Sequence, residues 1–525
     1  MESLLFPTLY LNAQRIKSKL FSVALTGVAL FMSALLAACT STPTQLIQKD
    51  EVLNDPVLKC QRFYYHFNAI VDTSKVRDAQ TAHIENFPQL QINRFLAALK
   101  PQLNQQTKLH MWLSLLAQLG LQSNSIELKN LPPVARDQLT AYSVKTSQNA
   151  DNEALLHKCS QTLLEDVMTS TAKQNQILAT AEVPDNYRIW NRIVGLYPLV
   201  ALPIAWGIHN WHQDSSTVLK TPTEELPITG KILRYNANNQ LTYVDFEEVK
   251  SAIQASSQNP LKIPLPDSDT TERLFATFSP LWEVDTVQNS DKIGAPQWPS
   301  QSTYPSVNIE QPTVYTLLSH SILNNENLLQ LNYFVWFPNR PCTSSLDYLC
   351  GKMDGLIWRV TLGADGKPLI YDTVHSCGCY HTFFPTGYLK PVPNSRCFTE
   401  SDFSPIQAPE TAPGTQLVVR IAHSTHYVES LTVTDNNQAY DIPLAWQDYS
   451  QLRSLPYSTG QYKSLFQENA IVAGTQRKER WFLWPLGVPS PGAMRQWGNH
   501  ATAFIGRREF DDPYLFENSF ALVKP

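Results

Sequence analysis

The chain has 525 residues, 17% of them charged, and a formal net charge of -5. So mild a negative balance, with no basic face or lysine-rich tail, excludes a nucleic-acid binder. Scarce glycine (19), plentiful proline (36) and 10% aromatics exclude disorder and leave a globular chain long enough for two or three domains.

Residues 1–38 read as a secretory signal. Arg15, Lys17 and Lys19 form a basic flank, and Leu20 to Ala38 is an uncharged, mostly apolar run ending in small residues. The exit Leu36-Ala37-Ala38-Cys39 resembles the lipobox of bacterial lipoproteins. That resemblance implies cleavage before Cys39, a diacylglyceryl thioether on its sulfur and an acylated amine. Each buried methylene contributes about 0.8 kcal/mol, so several chains make a lasting membrane anchor. Thr40 stands where an aspartate is the usual inner-membrane retention signal of this class, which implies the outer membrane with the body facing the periplasm. The alternative is an uncleaved transmembrane anchor.

Residues 39–58 are polar and read as a tether, and residues 59–215 as a mainly helical region. Ile92, Phe95, Leu96 and Leu99 follow helical spacing, with Pro101 as the expected stop. Leu155, Leu156, Cys159, Leu163, Val167 and Ile177 place one apolar stripe along a longer helix. The run from Ile193 to Ile208 is shorter than the ~20 residues that span a bilayer, and Pro198 and Pro203 interrupt it. It reads as a buried core segment, with a membrane-interface contact near Trp190, Trp206 and Trp211 as the alternative.

Residues 216–525 read as a β-rich mixed domain. Three hairpins are predicted from alternating runs around polar turns. The first joins Lys231–Tyr235 to Leu241–Val244, the second joins Leu356–Leu362 to Leu369–Val374, and the third runs from Leu431 through Asp435 and back through Tyr440. The fold class is therefore α+β: a helical N-terminal region, then a larger mixed region built on antiparallel sheet.

Besides Cys39 there are Cys60, Cys159, Cys342, Cys350, Cys377, Cys379 and Cys397. A periplasmic setting makes disulfides the default. Cys342 with Cys350 and Cys60 with Cys159 are the candidate bridges. Cys377, Cys379 and Cys397 cannot all pair among themselves, so the surplus thiol lies there.

That surplus falls in His375-Ser-Cys377-Gly-Cys379-Tyr-His381, which sets four soft or borderline ligands two residues apart. If the preceding strand continues, all four share one face. Imidazole and thiolate suit zinc, copper or iron. A straight strand, at about 3.3 Å per residue, holds His375 and His381 roughly 20 Å apart, so one metal needs a bend at Gly378 or ligands from elsewhere, foremost His423 and His426. Three readings stand side by side. One is a mononuclear metal site. The second is a structural disulfide from Cys397 to Cys377 or Cys379 in a non-catalytic envelope protein. The third is a redox dithiol at Cys377-Gly378-Cys379. The order C-x-C-x-H is not the haem-attachment pattern.

Other signals are weaker. Ser170-Thr-Ala-Lys173 matches the S-x-x-K of penicillin-interacting enzymes, without a K-T-G partner. The aromatic segments 332–341 and 481–485 read as core strands or, failing that, as a groove for a protein or small-molecule partner. Arg495, Trp497, His500, Arg507 and Arg508 form an end segment suited to an anion or to plain surface. The blocks 332–341, 354–385 and 481–512 resemble an uncharacterised group of proteobacterial lipoproteins, a resemblance that implies no activity.

Overall fold

The computed structural model describes residues 55–147, 151–237, 245–300, 302–392, 399–412, 414–435 and 438–523. The signal and lipobox reading, nearly all of the tether, the 241–244 return strand and Cys397 lie outside the described residues.

Helices come first. Asp55 caps α1 (Pro56–Ser74) by accepting a hydrogen bond from the Val57 N–H, and Pro56 occupies the first turn, where no N–H is needed. Its buried Cys60, Phe63, Tyr64, Phe67 and Val71 recur three and four apart, so one face turns inward. A small hairpin, β1 (Ala82–Ile84) and β2 (Phe87–Ile92), precedes the short α2 (Arg94–Ala98). Ile92 thus ends a strand, and helix begins only after the Asn93 cap, which shortens the predicted element without exposing Phe95, Leu96 or Leu99. Then follow α3 (Gln106–Asn130), α4 (Pro133–Ser147), α5 (Asn152–Thr169) and α6 (Thr171–Thr180). The predicted stripe is buried, from Leu155 to Val167 on α5 and at Ile177 on α6. The Cys60–Cys159 disulfide ties α1 to α5, with Cα atoms 4.9 Å apart.

The apolar run beyond residue 189 behaves otherwise. It forms α7 (Ile189–Val194) and α8 (Tyr197–Lys220), with Pro203 accommodated inside α8. A buried core segment was expected, yet Trp190 is 72% and Trp206 70% exposed. The cause is geometric. Ala201 and Leu219 of α8 face the body, and a helix apolar all round that lies on a surface must leave its other side uncovered.

The β-rich part is built on two large sheets, with three two-stranded pairs beside them. Strand β3 (Lys231–Asn236) is followed by α9 (Phe246–Ser256), α10 (Ser268–Phe278) and β4 (Leu281–Thr286). Next come β5 (Thr313–Leu323), β6 (Glu326–Arg340), β7 (Gly351–Leu362), β8 (Pro368–His375) and β9 (Thr382–Pro385). The large sheets are completed by β10 (Thr415–Ile421), β11 (Val428–Asp435), β12 (Ile442–Pro443) and β13 (Ala445–Asp448). One sheet runs β9-β8-β7-β6-β5-β13, the other β11-β10-β4-β3-β12. The class is α+β.

The predicted 356–374 hairpin is present as β7 and β8, paired antiparallel. The third prediction is corrected. The strand through Leu431 pairs with the preceding β10, while the chain beyond the Asp435 turn crosses to β3 and β5 in parallel register. The Gln438 N–H donates to the Asp435 carbonyl at 2.9 Å, so the chain does bend after Asp435, but a bend does not name the partner strand. Strand β3, for its part, pairs with β4 and β12.

The central β6 shows how the core is arranged. Leu331, Tyr333, Val335 and Phe337 enter the core shared with β3, β4, β10 and the helices α9 and α10. Phe334 and Trp336, on the opposite parity, enter a second core with Ile357, Val374, Met494 and Phe510. Both faces are buried, which is why Asn332-Tyr-Phe-Val-Trp-Phe337 reads as a continuous apolar run. This segment is core, as expected. The 481–485 segment is not a core strand: Arg480–Leu483 is a short helix, α11, with Trp481 and Phe482 turned outward.

Candidate functional site

Strand alternation ends at His375. The register resumes with Thr373 opposite Thr382, so the residues between them form the hairpin connection of β8 and β9. Within it the His375 N–H donates to the Cys379 carbonyl at 3.0 Å and the Gly378 N–H to the His375 carbonyl at 2.7 Å. Gly378 has φ +90°, and a Cβ there would stand 2.5 Å from the Ala501 carbonyl oxygen, so both conformation and space require glycine. Tyr380 follows with φ +64°. The four predicted ligands therefore do not line one face.

The histidines divide among three carboxylates. His381 Nε2 lies 2.8 Å from Asp372 Oδ2, and Asp372 also accepts two bonds from Arg359, its cross-strand neighbour, at 2.8 and 2.6 Å. Burial holds His381 down to about 4, so it is neutral at physiological pH. His423 sits beside Asp285 at 3.4 Å. His375 and His426 converge instead on Asp354. His426 Nδ1 lies 2.8 Å from one Asp354 oxygen and His375 Nδ1 3.5 Å from the other, to which Arg477 also donates at 3.1 Å. Burial opposes ionisation of Asp354, but Arg477 and the histidines outweigh it and hold the carboxylate well below its usual range. His375 is lowered by burial. Among the described residues no group of three or more His, Cys, Asp or Glu is arranged to hold a metal ion.

Cys377 and Cys379 stay together. Both are buried, at 2% and 8% exposure, and unbridged. The Cys379 N–H points at the Cys377 sulfur at 3.4 Å. Burial raises the Cys377 thiol, but the hydrogen bond from the Cys379 thiol and the Arg477 guanidinium outweigh it and bring it below its ordinary value. Giving that bond, and burial, push Cys379 up. Glu479, raised to about 7 by burial, acts electrostatically on both sulfurs. The turn is clamped from the C-terminal side, where Arg495 donates its backbone N–H to the Ser376 carbonyl and its Nε to the Cys377 carbonyl.

The backbone around these groups is strained. Met353, Tyr380 and His426 all take positive φ, at 51°, 64° and 57°. Such conformations cost of order 1–3 kcal/mol for non-glycine residues and gather where the surroundings enforce a working geometry. Tyr380 and Tyr427 pack with ring centroids 4.6 Å apart, and Trp211 of α8 lies 5.2 Å from Tyr380.

Two candidate bridges are disulfides, Cys60–Cys159 and Cys342–Cys350. Ser170 of the S-x-x-K match is the cap of α6, accepting the Lys173 N–H at 3.4 Å, while the Lys173 ammonium pairs with Asp166. A capping role explains that spacing. In the end segment Arg495, Trp497 and His500 are buried, Arg507 pairs with Asp185 and Arg508 with Glu400 and Asp402. Neither an anion site nor plain surface describes it. Sequence reasoning passed over Asp354, Arg477 and Glu479. Asp354 had a signal, a lone carboxylate in the otherwise apolar strand Met353-Asp-Gly-Leu-Ile-Trp358. Arg477 and Glu479 come from a distant loop and carried none.

Comparison with protein-family models, curated proteins and solved structures gives no match.

Proposed function

We propose that this chain is a lipid-anchored outer-membrane protein facing the periplasm, and that its working centre is the Cys377–Cys379 dithiol, a reversible thiol–disulfide couple. The observation that carries the reading is two unbridged thiols meeting in one buried, strained turn with opposite acidities. Pairs of groups pushed apart in this way divide into nucleophile and resolving partner. Two disulfides elsewhere in the chain accord with an oxidising compartment. The metal alternative is less favoured because His375 and His381 are engaged by separate carboxylates.

The chemistry balances with an external disulfide as oxidant. The Cys377 thiolate attacks one sulfur of that disulfide, forming a mixed disulfide, and the displaced sulfur leaves and takes up the proton Cys377 had released. Cys379 then attacks the Cys377 sulfur, and the second external sulfur leaves and takes up the proton that Cys379 releases. Two thiols here become one disulfide, and one disulfide outside becomes two thiols.

The test is to equilibrate the protein in dithiothreitol redox buffers, trap free thiols with a maleimide and map the masses. Cys377 and Cys379 are expected to become protected together, while Cys60–Cys159 and Cys342–Cys350 stay closed. Cys377→Ser should leave Cys379 modifiable at every potential. Two thiols that never join across the range would overturn the redox reading in favour of a non-catalytic scaffold. About one tightly held zinc, copper or iron per chain, lost on Cys377→Ser, would overturn it in favour of a metal site.

A further inference from the structure

The face carrying α7, the first half of α8 and α11 exposes apolar side chains that a body of this size would ordinarily bury. Trp190, Val194, Leu199, Leu202 and Trp206 stand outward on α7 and α8. The neighbouring segment adds Trp481, Phe482 and Trp484. The two segments are locked into one surface. Arg192 Nε donates to the Leu486 carbonyl at 2.8 Å and the Arg188 N–H to the Gly487 carbonyl at 2.8 Å, while a Cβ on Gly195 would stand 2.4 Å from Pro485 Cβ. A third segment joins at the far side. The Phe482 ring lies 6.3 Å from Tyr348, and Lys478 Nζ donates to the Ser345 carbonyl at 3.1 Å. Both belong to the loop closed by Cys342–Cys350, whose Leu346 is 86% exposed.

The charge on this face is mainly positive. Arg188, Arg192, Lys478 and Arg480 have no ion pair among the described residues, whereas Arg507 pairs with Asp185, Arg508 pairs with Glu400 and Asp402, and Arg495 is buried. On the loop, Asp347 is occupied in accepting the Thr343 and Leu349 N–H groups. Tryptophan ringed by arginine and lysine is the composition that rests at a bilayer interface, aromatic rings at headgroup depth and cations on anionic lipid. Contiguous apolar patches beyond a few hundred Å² are rare on monomers and mark contact surfaces. No described helix is long and apolar enough to cross a membrane, so the contact lies on the bilayer and not through it.

We propose that this face seats on an anionic lipid surface, with Leu346 and the tryptophans entering the headgroup layer. The contact is independent of the thiol chemistry and of acylation at Cys39. Residues 55–525 form one compact unit with its own cores, so that segment serves as the test protein without the cysteine.

The experiment measures cosedimentation and tryptophan emission with vesicles of phosphatidylethanolamine containing a quarter phosphatidylglycerol, against pure phosphatidylcholine. Binding to the anionic vesicles with a blue shift is expected, and Leu199→Asp with Trp206→Asp should weaken it by about tenfold or more while circular dichroism and thermal midpoint are unchanged. Separately, Trp481→Asp should weaken it too. Absence of binding to either vesicle, or binding that the variants leave intact, overturns the proposal. So does a concentration-dependent dimer in sedimentation velocity that Trp206→Asp abolishes, because the face would then belong to a second copy.

Discussion

The cluster around Asp354 and the face around Trp206 invert the usual partition of residues in opposite directions. One buries a carboxylate, two histidines, a guanidinium and two thiols beneath the sheet. The other leaves tryptophan and leucine in water. Charged residues are almost never fully buried without partners, and large apolar patches are seldom left open, so each inversion is maintained against a cost. The costs differ in kind. In the interior every member depends on the others, and removing one leaves a charge without compensation. On the outer face each side chain is nearly independent and gains only when something covers it.

The largest effect should follow from breaking the interior network. Asp354→Ala deprives Arg477 and His426 of their carboxylate. Loss of about 3–5 kcal/mol in urea unfolding is expected, because an unpaired buried guanidinium remains. Adding Arg477→Met should recover part of that loss. If the double variant is no more stable than the single one, the network is not held by charge compensation, and the contrast with the outer face weakens.

A smaller effect should appear as a pH slope. Glu479 is raised to about 7 in the folded state, above the ordinary value of about 4.3 for an unfolded glutamate. Between those values the folded protein keeps a proton that the unfolded chain has released, so stability falls as pH rises through that window. Glu479→Gln should remove this slope. Measured against wild type at pH 5 and pH 8, the variant should gain on the order of 2–3 kcal/mol at the higher pH. An unchanged slope would place the Glu479 carboxyl in contact with water.

The two regions also differ in how far the sequence foretold them. The β7–β8 hairpin, the stripe on α5 and the core strand β6 were readable because periodicity reports which face is buried. The cysteine pairs Cys60–Cys159 and Cys342–Cys350 were readable as candidates from proximity within one region. The placement of His375 to His381 was not. Parity arguments hold only while a strand stays extended, and a glycine at positive φ followed by Tyr380 at positive φ ends it after His375. Arg477 reaches Asp354 across more than a hundred residues, a closeness no local pattern encodes. The run at 193–208 failed for a related reason. Hydropathy says that a segment avoids water, and it does not say whether the protein or something outside it provides the cover.

That last point can be tested with the smallest of the expected effects. Trp206→Ala removes a large side chain that is mostly solvent-exposed, and the stability of the isolated body should change by no more than about 0.5 kcal/mol. Trp336→Ala removes the same side chain from a site only 1% exposed, and about 3–5 kcal/mol should be lost. Urea unfolding of both variants at low protein concentration gives the comparison. A cost above about 1 kcal/mol for Trp206→Ala would mean that α8 is already covered in solution. If that cost grew with protein concentration, the cover would be another copy of the chain, since mass action couples stability to concentration only when folding and association are linked. A negligible cost at every concentration leaves the tryptophan uncovered until a surface of another kind is supplied, which is the state a lipid-docking face requires before it meets its membrane.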